Sequence, residues 1–193
     1  ISVTGRVGKS SAAAGAARLP YPVAPAVGDV LNSSLANLNM TLHAPGAVLG
    51  AAWIESTRGD FTFYVQGMTP GVTRVMQALD DERLAVARAF GHALLPLGAE
   101  MQKYGTVEPH VTDTTDLVGA IASGEANKKI KAPDSLRHRY YLEDFGHGLV
   151  PFIALAEAAG VPTPVANALL DLGGTLTGVD FRSSGRTAQK MGI

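Results

Sequence analysis

The stretch APDSLRHRYYLEDFGHGLVP, Ala132 to Pro151, sets Arg137, His138, Arg139, a Tyr140–Tyr141 pair, Glu143, Asp144 and His147 close together. An arginine offers a planar fork that takes a carboxylate through two parallel hydrogen bonds. An aspartate beside a histidine holds the ring in one tautomer and supports its protonated form. Arg139 and Asp144 are five residues apart, off the helical pairing distance of three or four, so each suits a partner other than its neighbour. The candidate proton carrier is His43, about a hundred residues upstream in NLNMTLHAPG. A single histidine beside a leucine stripe is more often packed or exposed than catalytic. Asn39, one turn earlier, adds a polar group to the same face. Together Arg139, Asp144 and His43 suit a site that binds a keto acid and moves a proton to or from it.

Helices must position these groups. Leu31, Leu35, Leu38 and Leu42 recur at intervals of three and four and predict one buried stripe. Pro45-Gly46 is expected to end or kink that segment, and Val48 to Ile54 is a further apolar stretch containing Trp53. In GDFTFYVQGMTPG, Phe61, Phe63 and Val65 alternate with Thr62, Tyr64 and Gln66. That pattern predicts a short strand or hairpin arm near residues 60–66, with Tyr64 on the polar side. Thr69-Pro70 and Thr163-Pro164 are helix starts, a hydroxyl followed by proline at the first helical position. Asp80-Asp81-Glu82 reads as acidic residues at the start of a renewed helix. Residues 92–104 are expected to be helical with a kink at Pro96. Thr114-Thr115-Asp116 caps a helix ending at Gly124, FIALAEAAG is helical, and residues 185–190 form a last turn. The expected fold is mainly α, a helical bundle with one small β element.

The 193 residues suit one domain, or one domain and a fragment of another. Hydrophobic residues make up 46% of the chain, enough for a sizeable core. A net charge of −1 gives no field to recruit nucleic acid or an anionic membrane. The chain has no cysteine, which removes disulfides, thiolate catalysis and cysteine-based metal sites, and fits a reducing cytoplasm. His92, His110, His138 and His147 have no metal-ligand spacing, so no metal is expected. His138 and His147 are expected beside the site or at the surface. Lys128, Lys129 and Lys131 form a solvent-facing basic run, with a phosphate-bearing cofactor as the less favoured neighbour. Residues 1–28 differ from the rest. ISVTGRV alternates as a strand would, and a small-residue, proline-rich linker follows. With Ile1 rather than methionine at the start, this segment is expected to be the trailing edge of a preceding domain in a cut or truncated protein. Gly8-Lys9-Ser10 is not a phosphate-binding loop, because Val3 stands where that motif needs glycine.

Six ordered blocks resemble the C-terminal domain of the opine (octopine/nopaline) dehydrogenase family: SLANLNMTLHAPG, GDFTFYVQGMTPGV, LDDERLAVARAFG, IKAPDSLRHRYYLEDFGHGLVP, GVPTP and GRTAQKMGI. The resemblance runs from about Val30 to the end. It implies an all-helical domain at residues 29–193, of the 6-phosphogluconate dehydrogenase C-terminal-like kind, following a Rossmann domain that binds NAD or NADP. It implies reductive condensation of an α-keto acid with an amino acid. By it, His43 matches the family's general acid/base, Asp144 the paired aspartate, Arg139 the arginine that holds the keto-acid carboxylate, and Asn39 the asparagine one turn before the histidine. Ala44 departs from the family pattern, which commonly has proline directly after the histidine. No GxGxxG follows a strand in this chain, so the dinucleotide is expected to rest mainly on the preceding domain, with the site in the cleft between the two. Two other functions fit the same residues: oxidation of a hydroxy acid within the same two-domain architecture, and a helical dimerisation module without activity of its own.

Overall fold

The computed structural model describes residues 29–193, and the strand and linker expected in residues 1–28 lie outside them. The predicted leucine stripe is split between two helices, α1 (Val30–Leu35) and α2 (Asn39–Leu49). Asp29 caps the start of α1 through Asn32 N at 2.9 Å, backbone bonds from Ala36 N close its end, and the Asn37 side chain takes the backbone amide of Asn39 at 3.1 Å where α2 opens. Pro45 does not stop α2, which continues to Leu49. The residues from Met40 to Val48 are all buried, and packing on every side holds the helix through a position where proline withholds a hydrogen bond.

The remaining helices follow α2 along the chain. They are α3 (Ala51–Thr57), α4 (Pro70–Ala89), α5 (Leu97–Lys103), α6 (Leu117–Ser123), α7 (Arg139–Glu143), α8 (Val150–Ala158), α9 (Pro164–Thr177), α10 (Phe181–Ser184) and α11 (Ala188–Met191). A π-helical turn, Asp144–Leu149, joins α7 to α8 without a break. Helix α2 packs against α4, α7, the π turn and α9. The core is one cluster running from Leu35 through Met76, Leu79 and Ile121 to Phe145, Leu169 and Phe181.

Three expectations are corrected. The β element near 60–66 is reduced to one antiparallel bridge, Thr62 with Lys131. Phe63 N donates to Ile130 O and Ala132 N to Phe61 O, both at 2.9 Å. The Gln66 side chain then takes Thr62 N at 2.8 Å and folds the chain into a turn, which ends the alternation and brings Tyr64 inward. Helix α4 runs unbroken for 20 residues, so Asp80-Asp81-Glu82 opens no helix of its own. Asp80 pairs with Arg83 at 2.7 Å inside the protein and accepts from Leu97 N, while Arg83 donates to the carbonyls of Leu35 and Leu95. Glu82 caps a different helix, accepting from Val165 N and Ala166 N at the start of α9. Finally, residues 92–96 are not helical, and Pro96 stands just before α5 rather than kinking a longer helix.

Close approach, not turn geometry, explains the glycine at 173. A Cβ there would lie 2.0 Å from the Phe145 ring, the residue next to Asp144. Gly173→Ala is therefore expected to destabilise the fold by about 1–3 kcal/mol. A thermal melt reads this as a drop of several degrees, roughly, and an unchanged melting temperature would contradict the packing.

Candidate active site

His43 lies within α2 and is 4% exposed. A polar atom buried there without a partner would cost about 1–3 kcal/mol, and both ring nitrogens are partnered. Nδ1 lies 2.7 Å from Asp144 Oδ2, and Nε2 lies 2.7 Å from the Tyr64 hydroxyl. The carboxylate can only accept, so Nδ1 carries a hydrogen toward it. In the neutral ring, Nε2 then accepts from Tyr64. The Tyr64 hydroxyl also meets that of Tyr140 at 3.4 Å, and the Tyr140 ring stacks on the imidazole with centroids 3.7 Å apart. Burial, followed by the Tyr140 hydrogen bond, pushes the Tyr64 phenol far above its usual range, so it stays neutral.

Asp144 reaches His43 because of the helix that carries it. Residues five apart on an α-helix lie about 140° apart around the axis, so Arg139 and Asp144 point in different directions. Asp144 opens the π turn and faces α2. Arg139 begins α7, is exposed, and has its guanidinium carbon 5.5 Å from the Tyr140 ring centroid. The structure thus brings His43 and Asp144 together directly and links Arg139 to them through the Tyr140 ring. Arg139 has no carboxylate partner among the described residues. Tyr141, next to Tyr140, turns the other way and donates to Ala47 O at 2.7 Å, fastening α7 to α2.

A cavity of about 490 Å³ opens beside this pair. Asp144, Asn39, Glu143, His147 and Arg186 stand on its wall, and Met40 and Phe152 are among its apolar lining. Asn39 therefore faces the cavity at the start of α2 rather than bonding His43. His43 and Arg139 do not line it. His147 is exposed at its edge, while His138 caps α7, its Nδ1 accepting from Tyr140 N at 3.3 Å. The lysine run is exposed, with Lys128 paired to Glu125 and Lys131 to Asp60. No three metal-ligating side chains converge among the described residues. No described helix is long and apolar enough to cross a membrane.

Sequence reasoning missed Tyr64 and Tyr140 as parts of the site. The alternation in FTFYV set Tyr64 with Thr62 and Gln66, opposite Phe61, Phe63 and Val65. The available signal was chemical: a buried tyrosine needs a hydrogen-bond partner, and so does a buried histidine.

Residues 26–177 match the family described as NAD/NADP octopine/nopaline dehydrogenase, alpha-helical domain. The chain belongs to this family. The opine dehydrogenase of Arthrobacter sp. is 38% identical over 87% of this chain and 45% of its own length. The vitopine synthase of Allorhizobium ampelinum is 25% identical over 86% of this chain and 44% of its own length. An octopine dehydrogenase solved with NADH and agmatine has the same fold, with a TM-score of 0.71 and 21% identity over 93% of this chain and 51% of that one. This octopine/nopaline dehydrogenase helical domain thus spans about half the length of the curated relatives it matches. The described residues do not by themselves fit the family's dinucleotide. They hold no strand leading through a glycine-rich turn into a helix, the arrangement that cradles a pyrophosphate.

The cap on α7 has a signed pH dependence. Burial, and then the neighbouring Arg139, lower the pKa of His138 from its ordinary 6.5. The folded state favours the neutral ring that accepts from Tyr140 N. This contribution is present above the ordinary histidine range and is lost as pH falls through the lowered value. His138→Asn keeps a capping oxygen without the titration. The melting temperature of the variant should fall less than wild type between about pH 7.5 and about pH 5, and equal losses would contradict the role of His138.

Proposed function

We propose that this domain is the proton-transfer and substrate half of an opine-type dehydrogenase, which joins an α-keto acid to the amine of an amino acid with NAD or NADP supplying the reduction. One observation carries the proposal: the hydrogen-bonded pair of His43 and Asp144, brought together from 101 residues apart beside a cavity of small-substrate size. The 38% identity to an opine dehydrogenase supports the reaction class. Pyruvate and arginine, bound in octopine dehydrogenases of the same fold, are examples of the two substrate classes.

In this reading His43 is the general acid/base and Asp144 holds its Nδ1–H in place. Arg139, exposed and without a carboxylate partner among the described residues, takes the keto-acid carboxylate. Asn39, at the cavity wall, contacts the amino-acid substrate. The dinucleotide rests mainly on a preceding Rossmann domain to which residues 1–28 lead, and the reaction takes place where the two domains meet. The cysteine-free composition suits a cytoplasmic setting.

The test joins this chain to a dinucleotide-binding domain and follows nicotinamide absorbance with pyruvate and a panel of amino acids. Oxidation of the reduced cofactor should require both substrates. Turnover indifferent to the amino acid would favour the hydroxy-acid reaction instead, and no turnover in folded protein would overturn both. His43→Ala should lower kcat by about a hundredfold or more. Arg139→Lys keeps the charge but loses the fork, so it should raise KM for the keto acid more than it lowers kcat. Equal KM in the variant and wild type would remove Arg139 from carboxylate binding.

A further inference from the structure

The imidazole that the proposed reaction needs has no free nitrogen. His43 is 4% exposed, its Nδ1 is held by Asp144, and its Nε2 meets the Tyr64 hydroxyl at 2.7 Å. The nitrogen that should exchange a proton with substrate is therefore covered by a phenol. Tyr64 is itself 7% exposed and is steadied by the Tyr140 hydroxyl at 3.4 Å. Tyr140 lies between the two halves of the chemistry, stacked on the His43 ring and carrying the Arg139 guanidinium over its own ring.

We propose that Tyr64 is a catalytic residue that passes the proton between His43 Nε2 and the substrate oxygen, with Tyr140 positioning its hydroxyl. The inference rests on the opine-type reading above. In the condensing direction, Tyr64 O–H gives its proton to the hydroxyl oxygen of the amine–keto acid adduct. The C–O bond breaks, water leaves, and the nitrogen lone pair forms the C=N bond. At the same time Nε2–H of the protonated imidazole gives its proton to the Tyr64 oxygen. The phenol ends as it began, the imidazole becomes neutral, and Asp144 stays ionised. One proton has moved from His43 to the departing water. In reverse, the same two hydrogen bonds carry one proton back. A phenol suits this step because its oxygen can donate to a neutral imidazole and accept from a protonated one without moving its ring. Burial keeps it neutral, so it carries protons without retaining a charge.

The experiment uses Tyr64→Phe, which retains the ring, in the chain joined to its dinucleotide-binding domain. A melting temperature near wild type establishes that the variant is folded. Tyr140→Phe, which leaves the Tyr64 hydroxyl in place, serves as the second variant. Two readouts are taken. In the first, the nitrogen NMR signal of His43 Nε2 in Tyr64→Phe should move toward that of an unbonded imidazole, whether or not the enzyme turns over. An unchanged signal would mean that the hydrogen bond is absent in solution and would overturn the proposal. In the second, Tyr64→Phe should lower kcat about tenfold to a hundredfold with KM for the keto acid changed less than about twofold. The solvent deuterium effect on kcat should become smaller. Tyr140→Phe should lower kcat by a smaller factor. A wild-type kcat in Tyr64→Phe, or a higher one, would show that the phenol only covers the imidazole, and would overturn the relay while leaving the opine reading intact. Wild-type protein that turns over no substrate pair would instead defeat the opine reading and the relay with it.

Discussion

An imidazole placed inside an apolar helix constrains everything near it. Both nitrogens have lost water, and each must find a partner of fixed position or destabilise the fold. At His43 those partners are a carboxylate from 101 residues downstream and a phenol from 21 residues downstream. The requirement ties α2 to the π turn and to the loop that carries Tyr64. The helices therefore pack as they do partly to satisfy one side chain. The same arrangement sets the tautomer and places the second nitrogen against a hydroxyl.

The π-helical turn at Asp144–Leu149 serves that constraint. Wider backbone turns of this kind are uncommon and are often found at functional sites. Here the turn lies between α7, which presents Arg139 to solvent, and α8, which packs in the core. Glycine at 148 lets it approach α2, because a Cβ there would lie 2.9 Å from Met40 Cβ, and Arg186 N donates to Gly146 O. The charged groups elsewhere in the interior have a different task. Asp80 and Arg83 bind backbone carbonyls and an amide at the ends of α1 and α5, and Glu82 closes the N-terminus of α9. They fix the frame within which α2 is held.

Reading the chain without coordinates succeeded where periodicity or local chemistry decides the outcome. The proline starts of α4 and α9, the aspartate cap before α6 and the helical FIALAEAAG segment all follow from local rules, although neither the Thr69 nor the Thr163 hydroxyl caps its helix as expected. It failed where distant contacts override local preference. Pro45 is a helix breaker by rule, yet α2 passes through it because its neighbours bury it on every side. Phe61 to Gln66 alternates like a strand, yet a side-chain amide folds it into a turn. The acidic run in α4 looked like a helix start, yet it lies mid-helix and serves groups far along the chain.

The residue types and their order determined the helical class, the suitability of Asp144 for a histidine partner, and the identity of Arg139 as a cation suited to a carboxylate. These follow from each side chain's own chemistry, which does not depend on the fold. Tertiary structure alone decided which atoms meet. It turned Tyr64 onto Nε2, set the Tyr140 ring between imidazole and guanidinium, and left Arg139 and Asn39 in different surroundings although both had been assigned to substrate. The reason is physical: a hydrogen bond depends on position to within a few tenths of an ångström, and no local pattern in a chain specifies the distance between segments a hundred residues apart.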